Sequence, residues 1–588
     1  MEKTNLKRAL ATEKVKDFGG ICHGASKNSR ETENGSFNAF DICNFRILPD
    51  GTLEKREGFS HIMTMPGEPR CFWSGYLDGE EMSFALIGST VYALELGKGE
   101  YFPLGNILSS VGNAEFFFCR GLLYLVDGNE FYCYDGEDFK TVKGYVPLYG
   151  KNRNGDYTDE IYEPLNFLSD RIRIHYKSDR IRSRFHIGIK CSEIIYFEKN
   201  GMVYEDAELI DDGMAFDIGG SYPAETECYI VLRLAESELK RNVLTCATRA
   251  FVYGGADDGR ILLYGASQPS LVYVSRRVSY EARMQSLKAD VSSGEIYFPI
   301  TDTVSVTDGR YPITALCRHY DRLLIFTEKE TWMADFTKES EKPYIVPINS
   351  MVGCLSERGA VLGGNSPFSV SGGGIYQWTS DDDSRNECNA LCVSGEIGDM
   401  LDESFFDHAV SVYFRERGEV WFADPDSDEQ NVWIYSVWSK KWFRFDGIPV
   451  DIFFNYNGSV AMIYGKYIFA FSDMNTVDVG IGGGARSNIE AYYESNLTDF
   501  GFEERTKHLK RVLLKADCDG YPFTLRIVGD MGSSKLLQIS EESGEKGKYL
   551  TTFNAHSDIG RFNEMNYIIH SKDQGRTRIR SLTLSAKK

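Results

Sequence analysis

The sequence has no long apolar run. No stretch of its 588 residues approaches the roughly 18 consecutive apolar residues that a membrane-spanning helix needs. Its N-terminal segment, MEKTNLKRALATEKVKDF, also lacks the apolar core that a secretory signal carries. We therefore expect no membrane anchor and no export through a secretory signal.

Paired cysteines and zinc-ligand spacings are missing as well. The 13 cysteines are an odd number, scattered from Cys22 to Cys518 without a C-x-x-C pair. The closest two, Cys388 and Cys392, have three residues between them, and none of the nine histidines lies at a zinc-like spacing from a cysteine. Such cysteines are typical of buried, reduced thiols in a protein made in a reducing cytosol.

Basic residues are fewer than acidic ones, with 65 Lys and Arg against 86 Asp and Glu, which gives a formal net charge of −21. An acidic surface repels phosphate, so we expect no basic groove that grips nucleic acid. An acidic tunnel in which DNA slides without sticking remains compatible with this charge. Two stretches are locally basic, 170–184 (DRIRIHYKSDRIRSR) and 504–515 (ERTKHLKRVLLK). Both alternate with apolar residues, and we expect them to face acidic partner subunits.

No motif of catalysis or cofactor binding is visible. The sequence has neither a G-x-S-x-G elbow nor an H-E-x-x-H helix, and it lacks the Asp-box of sialidases. The glycine-rich stretches SGGGIY and GIGGGARSN lack the Lys-Ser/Thr of a phosphate loop and indicate a turn and a linker. Among 86 acidic residues some pair always fits a glycosidase, so none can be selected. We assign no catalytic residue, no cofactor and no enzymatic activity.

Two acidic loops are the candidate cation sites. Asp424, Asp426 and Asp428 occupy alternate positions, as in a calcium loop, but the Gly at the sixth position and the Glu at the twelfth are missing. The second loop, TSDDDSRN, holds the acidic residues 381–383. A solvated turn is the simpler interpretation of both loops. We therefore assign no metal ligand, and cation binding there stays open.

Aromatic residues and glycine, by contrast, are abundant. Phe, Trp and Tyr make up 13% of the chain and glycine numbers 56, which favours β structure because aromatics pack on pleated faces and glycine serves turns. Short β-type runs separated by tight turns recur through 61–144 and 247–483, as in MSFALIGSTVYALEL and HYDRLLIFTEKETWMADF. Repeats of roughly 40–50 residues built in this way are typical of propeller blades, and we predict six or seven.

Three regions lie outside this repeat. Residues 1–60 are predicted as an N-terminal segment with a hairpin, and 145–246 as a small β-domain inserted between blades. Residues 484–588 alternate with a period of two and are predicted as a C-terminal β-sandwich. One short helix is predicted at 279–290. The fold class is thus all-β: a β-propeller with an inserted β-domain and a C-terminal β-sandwich.

The N-terminal hairpin, NFRILPDGTLEKREGF (44–59), has the most distinctive pattern. Pro49 presets φ for a turn, and Asp50 and Gly51 tolerate positive φ, so two short strands are predicted around them. The segment resembles the propeller-bearing head-completion, or packaged-DNA stabilization, proteins of short-tailed phages and their relatives in the tail nozzle. Their N-terminus has an Asn-containing segment, an Asp-Gly turn and a strand ending in Arg-Pro-Gly-aromatic. The matching residues are Asn44, Arg46, Asp50, Gly51, Arg56, Gly58 and Phe59.

The resemblance departs from the family pattern at Glu57, where the family usually has proline. It continues at the start of the insertion, where YVPLYGKNRNGDYTDEIYEPLNFLSDRIR is similar to a YVPT-like opening of the family. It also includes a blade with the pattern P-I-T-x-L followed by L-x-F and a tryptophan. The residues that match there are Pro312, Ile313, Thr314, Leu316, Leu324, Phe326 and Trp332.

The resemblance implies a structural virion protein that catalyses no reaction. Such proteins form a ring below the portal, close the head after packaging and retain the DNA until ejection. The implied partners are further copies in a cyclic oligomer (a hexamer by analogy), the portal or adaptor protein, other tail proteins, and packaged DNA that passes without sequence-specific binding. The implied location is the virion tail, after assembly in the bacterial cytoplasm.

Two other functions remain open from the residues alone. A propeller of this kind could be a glycan-binding lectin or receptor-binding module, and Trp433, Trp438 and Trp442 could stack on sugars. Their spacing favours instead the packing of one blade against the next. A glycosidase is the third possibility.

Overall fold

The computed structural model describes residues 11–22, 37–77, 79–152, 161–178, 180–223, 225–254, 259–336, 344–379, 389–501, 505–540, 545–546, 551–556 and 560–587. Nearly all elements in these residues are strands. The α-helices are α1 (Arg241–Thr245), α2 (Tyr280–Ala289) and α3 (Glu403–His408). Single turns of 3₁₀ helix lie at Asp211–Gly213, Glu236–Glu238, Thr307–Gly309, Gly398–Met400 and Ile481–Gly483. The helix predicted at 279–290 is α2, and Ser279 caps it by accepting a hydrogen bond from the Ala282 N–H.

Six strands precede the first complete blade, and they contribute to three different sheets. Two of them form the predicted hairpin, in which Phe45 lies opposite Lys55 and Ile47 opposite Leu53. The prediction of a hairpin is confirmed. The bounds are β1 (Ala11–Val15), β2 (Phe18–Ile21), β3 (Phe37–Cys43), β4 (Phe45–Ile47), β5 (Leu53–Lys55) and β6 (Phe59–Thr64).

Two complete blades follow, each an antiparallel meander of four strands. Several of their turns fall at glycines with positive φ, such as Gly88 at 57° and Gly121 at 79°. Blade 1 consists of β7 (Cys71–Leu77), β8 (Glu80–Ile87), β9 (Thr90–Glu95) and β10 (Glu100–Asn106). Blade 2 consists of β11 (Glu115–Cys119), β12 (Leu122–Val126), β13 (Phe131–Tyr134) and β14 (Phe139–Thr141).

The inserted region forms two sheets around an apolar core of its own. Asn166 fixes its base to residues 296–298 of the propeller, because its amide donates to the Ile296 carbonyl at 2.9 Å and its Oδ1 accepts from the Phe298 N–H at 3.0 Å. One sheet has the order β15-β16-β22-β18-β19 and the other β17-β21-β20. The bounds are β15 (Leu148–Asn152), β16 (Arg171–Lys177), β17 (Arg184–His186), β18 (Cys191–Lys199), β19 (Met202–Val203), β20 (Glu208–Ile210), β21 (Ala215–Asp217) and β22 (Glu227–Leu234).

Four further meanders continue the propeller. Blade 3 consists of β23 (Arg249–Tyr253), β24 (Arg260–Tyr264), β25 (Leu271–Val274) and β26 (Thr303–Ser305), and blade 4 of β27 (Ile313–His319), β28 (Arg322–Thr327), β29 (Thr331–Asp335) and β30 (Tyr344–Asn349). Blade 5 consists of β31 (Val361–Gly363), β32 (Ser366–Ser371), β33 (Gly374–Trp378) and β34 (Ala390–Cys392), and blade 6 of β35 (Val410–Phe414), β36 (Glu419–Ala423), β37 (Val432–Ser436) and β38 (Lys441–Phe445).

Blade 7 is completed by a strand from the N-terminal region. β39 (Ile452–Tyr456), β40 (Ser459–Tyr464) and β41 (Tyr467–Phe471) form a meander, to which β6 adds a fourth strand with Phe59 opposite Phe471. β42 (Val477–Val479) and β43 (Arg486–Asn488) extend this sheet. The first strand of blade 7 lies beside those of blades 1 and 6, so the described residues close a ring of seven blades. The prediction of a propeller with six or seven blades is confirmed.

The C-terminal sandwich is larger than residues 484–588, because N-terminal strands complete both of its sheets. In one sheet β5 and β1 pair with β51, and in the other β3 lies between blade 6 and β44. A single apolar core runs from blades 5–7 into the sandwich. Its C-terminal strands are β44 (Ala491–Ser495), β45 (His508–Asp517), β46 (Phe523–Gly529), β47 (Ser534–Ile539), β48 (Glu545–Lys546), β49 (Thr551–His556), β50 (Met565–Ser571) and β51 (Arg578–Lys587).

Candidate functional site

Several residues of the distinctive N-terminal hairpin pattern are part of a buried ion-pair network next to the hairpin. It joins the hairpin to blade 6 and to the sheet of blade 7. We call it the ionic clasp, and its members are Asn44, Arg46, Arg56, Glu57, Glu419 and Asp478.

Arg46 lies at the centre of the clasp, with its side chain 1% exposed. Its guanidinium binds Glu57 at 2.5 Å and Glu419 of blade 6 at 2.6 Å, and the indole N–H of Trp421 also donates to Glu419 at 3.0 Å. Burial disfavours the charged guanidinium, but the two carboxylates outweigh it and raise the pKa of Arg46. Burial also acts against ionised Glu57, yet Arg46 lowers the pKa of Glu57 to about 2. For Glu419, burial dominates and raises the pKa.

Arg56 forms the second half of the clasp. It makes a bidentate pair with Asp478, at 2.9 and 2.8 Å, and its Nε donates to the Asn44 side chain at 2.8 Å. Asn44 has a φ of 56° and also donates to the Glu490 carbonyl at 2.8 Å, at the start of the sandwich. A bidentate pair of this kind neutralises both charges and also fixes the relative orientation of the two side chains. The hairpin is therefore bound to the blade 7 sheet and the sandwich at once.

Two glycines of the shared pattern have steric reasons to be glycine. A Cβ on Gly58 would lie 2.0 Å from the Val477 carbonyl oxygen. Gly51, in the hairpin turn, has a φ of 78°, and a Cβ there would lie 2.5 Å from Asp17. Glu57 supplies one of the two carboxylates that neutralise Arg46. The shared residues thus hold elements together and leave no reactive group exposed in the clasp.

The blade-4 pattern has a similar structural role. Thr314 donates to the Cys354 carbonyl at 2.7 Å and so ties blade 4 to the segment that leads into blade 5. Leu324 and Phe326 are buried in the blade, and Phe326 contacts Trp378 of blade 5 with ring centroids 5.6 Å apart. These residues pack neighbouring blades against each other.

The acidic loop of blade 6 does bring possible metal ligands together. Asp424 and Asp426 lie with His408 so that one ligand atom of each is within 4.8 Å of the others, and these three could hold a divalent cation. Asp424 already accepts from the Ser404 hydroxyl at 2.8 Å and from the Asp426 N–H at 3.0 Å. Asp428 is outside this group, and residues 381–383 are outside the described residues. Sequence reasoning missed His408 because it ends α3, ahead of the loop.

The three tryptophans of blade 6 differ in their surroundings. Trp442 donates to the Val393 carbonyl of the preceding blade at 2.6 Å, so the prediction of blade-to-blade packing is confirmed for this residue. Trp433 is buried in the same core. Trp438 is 55% exposed in the turn between β37 and β38, and the prediction is wrong for it.

The first locally basic stretch is largely bound within the chain. Arg173 is fully buried and donates to the Val146 carbonyl at 2.9 Å and to the Tyr145 hydroxyl at 2.8 Å, while Arg171 pairs with Asp290 at 2.5 Å. The prediction that this stretch faces a partner subunit is therefore wrong for Arg171 and Arg173.

The second basic stretch, residues 504–515, is also partly bound within the chain. Lys507 is buried, and its ammonium donates to the Asn563 carbonyl at 2.8 Å. Arg511 is exposed and donates to Asn554 at 3.0 Å. For Lys507, too, the expectation of a partner-facing side chain is wrong.

An arginine-lined cavity, which sequence reasoning missed, lies where blades 2 and 3 meet. It has a volume of about 770 Å³, and Glu295 is the carboxylate among its lining residues. The arginines come from separate elements: the turn after β11, the start of β24, the segment after β25, and α2. We call it the arginine cavity, and its arginines are Arg120, Arg260, Arg276, Arg277 and Arg283.

A second cavity, of about 280 Å³, lies on the propeller axis, where the first strands of several blades begin. Glu115 is half-buried there and accepts from the Ala250 N–H at 2.7 Å, and the loss of solvent around its carboxyl raises the pKa of Glu115 against the pull of Arg249. Arg249 pairs with Glu357. Burial and the neighbouring Arg249 lower the pKa of Arg358. Two arginines and two glutamates line this axial cavity, so the cavity is polar and its formal charges balance.

No protein-family model matches the sequence, and no curated protein matches it. Solved structures with a similar chain path include PorZ of Porphyromonas gingivalis, a surface component of the type-IX secretion system, at 10% identity and a TM-score of 0.36 over 84% of this chain. The extracellular domain of BT4673 from B. thetaiotaomicron is similar at 8% identity and a TM-score of 0.37 over 92% of this chain. The chain spans 48% of PorZ and 64% of the BT4673 domain.

The WD40 domain of Neurospora crassa Pan2 is similar at 8% identity and a TM-score of 0.34, over 71% of this chain and 97% of that domain. At these scores the similarities point to no particular function. Within the described residues, no helix has the length and hydropathy required to cross a membrane.

Proposed function

We propose that this protein is a structural component of a phage or prophage tail, where it works in a ring below the portal as a head-completion or nozzle protein. In this role it assembles as a cyclic oligomer, with six copies by family analogy, and contacts the portal or adaptor protein and other tail proteins. It retains packaged DNA without reading its sequence and catalyses no reaction. It is built in the bacterial cytoplasm and resides in the virion.

The observation that carries this proposal is the ionic clasp. The residues that resemble the tail family are not arranged around a cleft; Arg46 and Arg56 are 1% and 2% exposed and connect the hairpin to blades 6 and 7. A buried network of this kind strongly penalises any separation of its members, because each leaves an uncompensated charge behind. That is a property expected of a part that must keep its shape against the pressure of packaged DNA.

The tip of the β18–β19 hairpin offers a surface for contact between copies. Met202 and Val203 are consecutive in β19, next to this tip of the inserted region, and are 63% and 61% exposed. Apolar pairs at a protruding tip are costly in a monomer and are covered in assemblies. In our proposal this tip contacts the neighbouring copy in the ring.

The test is the native mass of the purified 66.5 kDa chain, measured by light scattering after size exclusion in about 0.15 M salt. A ring gives a multiple of the subunit mass, and electron microscopy of the same fraction gives its symmetry. Replacing Met202 and Val203 by serine should dissociate the ring, whereas Val291→Ser with Met474→Ser, also highly exposed at 89% and 87%, should leave it intact. A strict monomer that also fails to assemble with a portal ring contradicts the proposal.

Trp438 favours one second candidate function, glycan binding. Its ring is 55% exposed and lies against Gly418, which leaves one aromatic face available to a sugar. A glycan-binding propeller should retain bacterial surface polysaccharide on a column and lose this retention in Trp438→Ala. Retention that is the same in both proteins, or absent from both, excludes Trp438 as a sugar platform.

A further inference from the structure

We propose that the arginine cavity binds the phosphate groups of a nucleotide, either free or at the end of a nucleic-acid strand. This inference does not depend on the proposed role in a phage tail. It goes against the expectation, drawn from the net charge of −21, that the chain has no basic groove for nucleic acid.

The chemistry of the lining is the first argument. Among the described lining residues the five cationic side chains are all arginine, and none is lysine. A guanidinium is a planar fork of donors that binds phosphate oxygens in pairs, whereas an ammonium acts as a point charge. A purely electrostatic surface has no reason to select arginine alone, and several forks converging on one cavity are typical of phosphate recognition.

The charge balance inside the cavity is the second argument. Arg276 makes a bidentate pair with Asp302 at 2.7 and 3.0 Å, and Arg283 pairs with Glu295. Arg120 donates to the Gly259 carbonyl at 3.0 Å, and no carboxylate of the described residues pairs with Arg120 or Arg260. Residues 257 and 258, both aspartate, lie outside the described residues. Positive charge thus exceeds negative charge among the described lining residues.

The size and rim of the cavity set the size of the ligand. A volume of about 770 Å³ exceeds what a lone phosphate needs and lies within the range of pockets that hold small ligands. Tyr280, 75% exposed, lies at the rim and offers a ring on which a base can stack. It is also the first residue of α2, so the positive end of that helix faces the same space.

The acidic remainder of the molecule argues for a short ligand. A long duplex would extend over surfaces whose net charge repels it, while a nucleotide or a strand end places its phosphates only in the cavity. Duplex DNA should therefore bind weakly, as the net charge indicates, even though the cavity accepts phosphate.

The experiment is isothermal titration of the full-length protein with adenosine diphosphate, pyrophosphate, adenosine and a single-stranded oligonucleotide carrying a 5′-phosphate. The test variant is Arg260→Gln with Arg277→Gln. The control is Arg526→Gln with Arg580→Gln, two exposed arginines of the C-terminal sandwich that change the net charge by the same amount. Arg277→Glu, at an exposed position, serves as a second variant should the double variant not fold.

We expect the diphosphate and pyrophosphate to bind, adenosine not to bind, and the test variant to weaken binding by at least about tenfold, as the loss of charge-assisted hydrogen bonds implies. The control should change the affinity by less than about twofold, since exposed distant charges contribute little. If the oligonucleotide binds more tightly than the diphosphate, the ligand of the cavity is the phosphorylated end of a nucleic-acid strand. If it does not, the ligand is a free nucleotide. Absence of binding to every phosphate probe at millimolar concentration, or equal weakening by test and control variants, overturns the proposal.

Discussion

Removing Arg46 tests the ionic clasp most directly. The change to methionine keeps most of the volume of the side chain but leaves Glu57 and Glu419, 7% and 4% exposed, without their shared cation. Breaking a buried pair by removing one partner costs about 3–5 kcal/mol. The pKa of Glu57 gives a similar figure, because a fall from 4.5 to about 2 corresponds to about 3 kcal/mol at 1.36 kcal/mol per pH unit.

The same residue sets the pH dependence. Since the pKa of Glu57 is lower in the folded protein than its ordinary value of 4.5, its stabilising effect is complete above about pH 4.5 and is lost as the pH falls towards 2. In Arg46→Met both carboxylates become protonated at higher pH. The stability difference between wild type and variant should therefore be large at pH 7 and shrink towards pH 3.

The assay is urea unfolding at pH 7 and at pH 3, followed by tryptophan fluorescence and by hydrogen exchange of residues 45–58. Trp421 donates to Glu419 but is one of seven tryptophans, so the fluorescence follows global unfolding, and hydrogen exchange reports on the hairpin of the clasp. Arg417→Met is the matched control. Its contacts with Glu54 and Glu57 are long, at 3.9 and 4.0 Å, and its short pair, at 2.7 Å, is with the exposed Asp473, so the change should cost less than about 1 kcal/mol. An Arg46→Met protein that loses no more stability than this control refutes the reasoning.

Three further outcomes are expected. Gly58→Ala should melt at a lower temperature than wild type or fail to accumulate, because its Cβ would lie 2.0 Å from the Val477 carbonyl oxygen. Gly395→Ala, with open space around it, should melt like wild type in a thermal scan. In native protein an aromatic disulfide reagent should label exposed Cys392 within minutes and Cys354 only after unfolding, since burial raises the pKa of Cys354 to about 12; peptide mass spectrometry that finds equal labelling contradicts this. Deleting residues 1–64 should remove the fourth strand of blade 7, so limited proteolysis should cut blade 7 in the truncated protein and spare it in the intact one.

Features that depend on neighbouring residues could be predicted from the sequence. The hairpin follows from Pro49, Asp50 and Gly51, and the blades follow from short apolar runs with glycine turns. α2 was identifiable from its N-terminal serine and its length. The hairpin, the blades and α2 are each determined by residues that lie close together in the sequence.

Features that depend on distant pairing could not be predicted. The partners of Arg46 and Arg56 in the clasp, Glu419 and Asp478, are hundreds of residues away in the chain. The sequences of β3 and β6 do not indicate which sheets these strands join. β6 pairs with β41 in blade 7 and β3 pairs with β44 in the sandwich, and both pairings depend on the fold of the whole chain. The arginine cavity also depends on distant residues, because Arg120 and Arg260 join Arg276, Arg277 and Arg283 only in the folded chain.

The axial cavity decides where a channel can run in an assembly of this protein. Glu115, Arg249, Glu357 and Arg358 meet on the axis of the propeller and fill it with balanced charge, leaving only about 280 Å³. That is room for a cluster of water molecules and too little for a nucleic-acid strand. In the assembly that we propose, a passage for DNA would therefore run between copies and not along the propeller axis. The width of that passage would then depend on the number of copies and would be independent of the number of blades.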